Sequence, residues 1–153
     1  AAEFQHRIIR LRPKTNDVIY SREGERYGLA ALVPEGAEVC LAQRVMLFRP
    51  TLEHDAAFFM WALNADCTYQ QMKQYVVGAT SPHVNIGDIR EAWLPVPPRT
   101  EQGRVGKFVT EALARQRALG HLLERHIERL QEYRQALITA AVTGQLDIGE
   151  EAA

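Results

Sequence analysis

The chain has 153 residues, of which 46% are hydrophobic and 24% are charged, and its formal net charge is -1. This composition is typical of a soluble globular protein with one domain and an appendage. The near-neutral charge excludes binding to nucleic acid by overall charge alone, so a surface for a polyanion must be local. The densest positive cluster consists of Arg7, Arg10, Arg12 and Lys14.

The sequence lacks the long apolar run that a membrane span requires, and its first residues lack the apolar core of a signal peptide. Cys40 and Cys67 do not have a metal-type spacing, which favours free thiols in a reducing cytoplasm. We therefore expect a cytoplasmic protein without a membrane segment. Because the chain starts with AAEF and without Met, we also expect it to be a fragment of a longer protein.

The first part of the chain alternates between β-forming runs and turn signals. Strands are predicted for DVIYS (17–21), LAALV (29–33), VCLA (39–42) and VMLFRP (45–50), with a glycine-flanked loop between the first two. Two short helices follow, HDAAFFMWALNAD and TYQQMKQYVV, with Asp55 and Thr68 as expected N-caps.

After a loop at 78–85, a short helical turn with Asn85 as N-cap and an extended strand, WLPVP, complete this region. Residues 1–98 are therefore predicted to form a small α+β domain (mixed α/β) that lacks its first β segment.

A long helix is predicted after Pro97 and Pro98, which disfavour helix before them. Thr100 is the expected N-cap, and Gly144 is a natural residue just beyond the C-terminus. Such a helix is about 65 Å long, whereas the preceding domain is expected to be about 30 Å across. The predicted division is thus a domain at 1–98, a helix at 99–145 that is half free, and a tail at 146–153.

The apolar residues of this helix follow a heptad pattern that predicts a coiled coil. Gln116 and His126 interrupt the stripe, either to set register or because they lie at a solvated edge, and Gly120 is a candidate for close helix approach. The residues expected to pair with a second helix are Val109, Leu119, Leu123, His126, Leu130, Tyr133 and Leu137.

No motif predicts catalysis. The histidines have no metal-ligand spacing, and neither a P-loop nor GxGxxG is present. Ser81 and His83, with Asp88 beyond them, are a weak basis for a triad because no nucleophile-elbow glycines flank the serine. We expect no catalytic residue, metal or cofactor.

Three polar loops have side chains suited to base edges and phosphates. Arginine can pair with guanine, glutamate with the cytosine amine and glutamine with adenine. Ion pairs in a solvated turn, Arg22 with Glu25 or Glu23 with Arg26, are the alternative explanation for the first loop. The candidate DNA-binding residues are Arg22, Glu23, Glu25, Arg26, Tyr27, Gln43, Arg44, Thr80, Ser81 and His83.

Several segments together resemble the specificity subunits of Type I restriction-modification systems. They are DVIYSREGERYG, QRVMLFRP, GATSPHVNIGDI, LPVPPRTEQ and LQEYRQALITAAVTGQLDI, in the family's order and spacing. The resemblance covers residues 17–148, and its most specific parts are the PPRTEQ junction and the terminal YRQALITAAVTG.

The resemblance implies a non-catalytic subunit whose target recognition domains each recognise half of a split sequence in double-stranded DNA. It also implies spacer helices that pair antiparallel and, with the domains, dock methyltransferase and restriction subunits. Methylation of adenine and ATP-dependent cleavage then belong to those partners. This chain has the length of half a subunit, so its helix would pair with a second copy of itself or with the central helix of a full-length subunit.

Two other hypotheses remain open from the residues themselves. One is a coiled-coil dimerisation protein whose α/β head binds a protein or a small ligand. The other is an enzyme that uses Ser81 and His83.

Overall fold

The computed structural model describes residues 11–78 and 82–146, which form a small α+β domain followed by one long helix, as the sequence predicts. The strands are β1 (Val18–Ser21), β2 (Ala30–Leu32) and β3 (Val45–Phe48). The helices are α1 (Ala56–Leu63), α2 (Asp66–Lys73), α3 (Ile86–Arg90) and α4 (Arg99–Val142).

The three strands form an antiparallel sheet with β1 in the centre, in the order β2-β1-β3. Alternation along β1 buries Val18 and Tyr20 on one face, as expected for a strand that packs on a core. Burial raises the pKa of Tyr20 to about 12. Helices α1, α2 and α3 contribute Met60, Leu63, Met72 and Ile89 to this core, and the segment before α3 contributes Val84.

An ion pair with a buried carboxylate supports the start of the sheet. Arg49 donates from Nε and Nη2 to the two carboxylate oxygens of Asp17, at 2.8 and 2.7 Å, and the Lys14 amide donates to the second oxygen at 2.7 Å. The Asp17 side chain is 3% exposed. The hydrogen bonds from Arg49 lower the pKa of Asp17 below its usual value, more strongly than burial raises it.

The predicted helix caps have mixed outcomes. Asp55 caps α1, since its carboxylate accepts from the Phe58 amide at 2.8 Å. Asn85 occupies the N-cap position of α3, but its side chain donates to Asp88 at 3.2 Å. Thr68 was wrong as an N-cap because α2 already begins at Asp66. The buried Thr68 hydroxyl instead donates to the Ala62 carbonyl at 2.7 Å and joins α2 to α1.

Two predicted strands are absent from the part of the chain that the structure describes. VCLA (39–42) is irregular and lies between turns at 35–36 and 43–44. WLPVP is extended but unpaired, since Gln71 bonds the Trp93 backbone through its side chain and no strand lies beside it.

Helix α4 begins one residue before the predicted cap, so Thr100 lies inside it. The Pro98 carbonyl accepts the first hydrogen bonds, from the amides of Glu101 and Gln102. The other end agrees with the sequence, because Gly144 has a φ of +70° and the amides of Gln145 and Leu146 both donate to Ala140.

The chain divides into two compact units, residues 1–110 and 111–153. The first turns of α4 therefore belong to the unit that contains the sheet. The second unit comprises the remainder of the helix and the residues that follow it.

Candidate nucleic-acid interface

Three segments that are far apart in sequence meet just beyond the end of β1. The Arg22 amide donates to the Arg44 carbonyl at 3.1 Å, and the Arg22 carbonyl accepts from the Val84 amide at 2.9 Å. The Arg22 guanidinium donates from Nη2 to the Gln43 carbonyl at 3.0 Å. Arg22 therefore connects the 21–28 loop, the 43–44 turn and the 82–84 segment. The sequence predicted these segments as three separate candidate loops, and in the structure they are neighbours.

The 82–84 segment is fixed on both sides. His83 forms an antiparallel bridge with Glu23 and another with Val77, and the two amide–carbonyl bonds between His83 and Val77 are both 3.0 Å. The Gly24 amide donates to the Pro82 carbonyl at 2.8 Å. Predicted residues Thr80 and Ser81, like Arg7 and Arg10, lie outside the described residues.

The tip of the first loop is a tight turn, in which the Tyr27 amide donates to the Gly24 carbonyl at 3.2 Å. Glu25 and Arg26 are its two central residues, and both are exposed. Gly24 and Gly28 flank the turn with φ values of +81° and +88°, in the region that favours glycine. The two candidate side chains at the tip are thus presented to solvent on a well-defined backbone.

Tyr27 faces the protein rather than the loop tip. Its ring stacks on Tyr69 of α2 with 5.4 Å between centroids, and the two hydroxyls lie 2.9 Å apart. This hydrogen bond raises the pKa of Tyr27. The Gly28 backbone runs close beside this stack, since a Cβ at Gly28 would lie 2.7 Å from the Tyr69 ring. The geometry gives Tyr27 a role in fixing the loop to the core.

Charges at this surface are paired across segments. Glu23 forms an ion pair of 3.7 Å with Arg44, whose side chain is 69% exposed. Arg22 is half-buried, and among the described residues its Nε is enclosed without a hydrogen-bond partner. The exposed groups are the tip pair and the side chains of Gln43 and Arg44. Together they offer guanidinium and amide donors and carboxylate and amide acceptors, the set that complements base edges.

A second group of contacts joins the start of α4 to the rest of its unit. The sequence singled out the PPRTEQ junction as a family motif and Asp55 as a helix cap, but it did not predict these contacts. Gln102 is buried, accepts from the Asp55 amide at 3.0 Å and donates to the Pro97 carbonyl at 2.7 Å. Arg99 donates to the carbonyls of Leu52 and His54. Further along, the Trp61 indole donates to the Thr110 hydroxyl at 2.9 Å.

Close packing accompanies these hydrogen bonds. Gly106 is buried, and a Cβ there would lie 2.8 Å from both the Asp55 carboxylate and the Phe58 amide. Two features of the sequence signal these contacts: the Glu-Gln pair that follows the prolines, and the glycines inside the helix. Glycine destabilises a helix interior, so its presence there indicates close packing.

The second unit has an exposed apolar stripe along the helix. Leu130 is 65% exposed and Tyr133 is 67% exposed, and the other large apolar residues of the stripe are also exposed. Of the predicted pairing residues, Leu119, Leu123, His126, Leu130, Tyr133 and Leu137 are exposed on this unit, and Val109 is half-buried in the first unit. An apolar stripe of this length is typical of a surface that contacts another protein.

Within residues 11–78 and 82–146, no group of His, Cys, Asp and Glu is arranged to hold a metal ion. Over the same residues, no helix has the length and apolar character needed to cross a membrane. Cys40 and Cys67 are exposed free thiols.

The comparison with protein families agrees with the resemblance that the motifs indicate. The model of the Type I restriction modification DNA specificity domain matches residues 3–129, which include the three candidate loops, the helix junction and the first part of the stripe. No curated protein matches the chain significantly. Because the matched residues cover most of the sequence, the chain belongs to the family of Type I restriction modification DNA specificity domains.

Proposed function

We propose that the chain recognises one half of a bipartite target in double-stranded DNA, as the specificity subunit or half-subunit of a Type I restriction-modification system. The observation that carries this proposal is the hydrogen-bonded junction at Arg22, which joins three polar loops into one surface. Side chains on a fixed backbone can discriminate bases, because direct recognition depends on donors and acceptors held in register with base edges.

The same proposal assigns the chemistry to partner subunits. The chain docks the methyltransferase and restriction subunits and catalyses no step itself. A net charge of -1 is compatible with DNA recognition when a partner contributes much of the contact with phosphates. The isolated chain should therefore bind DNA weakly and should gain sequence preference in the complex.

Helix α4 pairs with a second helix through its exposed stripe, from a second copy of the chain or from the central helix of a full-length subunit. The supporting observation is the exposure of Leu119, Leu123, Leu130 and Leu137 along one helix. Burying a leucine side chain contributes about 1.5–3 kcal/mol, so pairing would stabilise the helix substantially. An antiparallel two-fold arrangement would place two recognition domains at opposite ends.

Footprinting with the reconstituted methyltransferase complex tests the DNA-recognition proposal. We expect protection of a recurring sequence in the complex and little protection by the isolated chain. Protection without sequence preference in the complex would contradict the proposal. It would favour a coiled-coil dimerisation protein whose head binds a protein or small ligand.

A further inference from the structure

Some of the candidate DNA-binding residues face the protein and others face solvent. We therefore expect the two groups to have different roles. The inference that follows rests on the proposed function and concerns how the sequence preference arises.

The tip turn is held from three directions. The Gly24 amide donates to the Pro82 carbonyl, and the Gly28 amide donates to the Ser21 carbonyl at 2.8 Å. The Tyr27 ring stacks on Tyr69. Glu25 and Arg26 project from this turn with opposite charges. Because these charges cancel, the turn has little net attraction for phosphates, and its chemistry favours base edges.

Arg22 has a different environment. Its backbone amide and carbonyl and its Nη2 are each hydrogen-bonded within the protein, and its side chain is half-buried. A guanidinium committed to the Gln43 carbonyl holds the 43–44 turn in place beside the loop. This arrangement suits a residue that acts through its neighbours.

We propose that Glu25 and Arg26 are the specificity-determining pair of this surface, that they recognise a G·C base pair in the half-site, and that Arg22 is a positioning residue. Arginine pairs with guanine O6 and N7 in a bidentate manner, and glutamate accepts from the cytosine amine. The two partners of a G·C pair are therefore complementary to the two side chains at the tip.

Methylation of a duplex library with randomised half-sites, by the complex of this chain with its methyltransferase partner, tests the assignment of Arg26. Arg26→Gln should change the preference at a single position from guanine towards adenine, because glutamine pairs with adenine. We expect discrimination for guanine at that position to fall by about 5- to 150-fold. The exposed Arg90→Gln, on α3, is the matched control and should leave the motif unchanged.

The positioning role of Arg22 has a readout that a phosphate contact would not share. Arg22→Gln should weaken preference at several positions, while the slope of log affinity against log salt concentration stays the same. A residue that neutralises one phosphate lowers the magnitude of that slope by about 0.9 when removed. Arg22→Lys keeps the charge and is the control for loss of folding. We expect it to weaken base preference at the same positions with the same salt slope.

The outcomes separate this inference from the proposed function. A wild-type complex that selects no motif refutes the proposed function. A wild-type complex that selects a motif which Arg26→Gln leaves unchanged, or weakens uniformly with a smaller salt slope, overturns the assignment of Arg26. A smaller salt slope for Arg22→Gln with an unchanged motif overturns the positioning role.

Discussion

At the scale of single residues, the Asp17–Arg49 ion pair supports the sheet from which the candidate interface extends. Asp17 is almost fully buried, whereas Arg49 is partly exposed. The hydrogen bonds from Arg49 therefore compensate the Asp17 carboxylate for the hydration that it loses on burial. Its lowered pKa means that the ionised form is stabilised in the folded state. The carboxylate therefore contributes stability above its unfolded-state pKa of about 3.9, and this contribution is lost as the pH falls through the lower folded-state value.

Asp17→Asn should lower the free energy of unfolding at pH 7 by about 1–3 kcal/mol, because it removes charge-assisted hydrogen bonds from a buried site. The difference from the wild type should narrow as the pH falls below about 4. Urea unfolding at a series of pH values measures both effects. The exposed Glu35→Gln is the control, with an expected change within about 0.5 kcal/mol. A difference between Asp17→Asn and the wild type that is constant over the whole pH range would contradict the linkage.

Gly28 is the residue whose replacement should disturb the loop most. An alanine there would adopt a φ of +88° and would place its Cβ 2.7 Å from the Tyr69 ring. Gly28→Ala should therefore cost at least about 1 kcal/mol more than Gly36→Ala, which has a φ of +70° and open space around its Cβ among the described residues. Equal losses of unfolding free energy in urea would show that Tyr69 does not constrain the loop.

Local sequence signals predicted the structural roles of some residues, whereas long-range contacts determine the roles of others. Asp55 was predictable as a cap because an acidic residue directly precedes an apolar helical run. Thr68 has the same type of signal, but burial against α1 determined its role. The loops of the candidate interface were nominated from their side chains, whereas the Arg22–Gln43 contact depends on the register of β1 with β3. Such a register is not visible in one short stretch of sequence.

At the scale of elements, the first turns of α4 contact the N-terminus of α1 closely. The Gln102 side chain bonds the backbone on both sides of this contact, and Gly106 leaves room for Asp55 and Phe58. The heptad pattern predicted a coiled-coil helix from residue 99 onwards. It could not show that the same helix begins as part of the recognition domain, because the contacts involve glycine and glutamine rather than the apolar stripe.

Gly106→Ala should destabilise the chain by about 1–3 kcal/mol, since its Cβ would lie within 3 Å of two atoms that include backbone. Gly103→Ala lies one turn earlier in the same helix, where the nearest atom to a Cβ is 4.0 Å away. Its expected effect has the opposite sign, a gain of up to about 1 kcal/mol from helix propensity. Thermal unfolding of both variants checks the pair. Stabilisation by Gly106→Ala would mean that the helix does not pack as described.

At the scale of the whole molecule, the exposed stripe of α4 predicts self-association of the isolated chain. Leu123→Glu or Leu130→Glu should convert a dimer to a monomer, because pairing would bury an uncompensated charge. Gln131→Glu, at an exposed position next to the stripe, is the matched control and should leave the dimer intact. Light scattering over a range of concentrations distinguishes the species. A wild-type chain that stays monomeric at high concentration would contradict the prediction.

The whole-chain architecture was predictable because its two parts have different periodicities. Short β-forming runs separated by turns indicated the α+β domain, and a sustained heptad indicated the long helix. The VCLA and WLPVP segments were mispredicted as strands, since β propensity does not reveal whether a segment pairs with a neighbouring strand. The base sequence of the proposed half-site would depend on the combined geometry of several loops, which short-range sequence patterns do not specify.

The most direct test of the central claim is the sequencing of methylated bases in DNA treated with the reconstituted complex of this chain and its methyltransferase partner. Sequence-specific recognition by the chain predicts that all modified adenines lie in one bipartite motif. The half-site recognised by this chain, or both half-sites where two copies pair, changes when the loop at 21–28 is replaced. Modified adenines without a shared motif, or a motif that is unaffected by replacement of the loop, would contradict it.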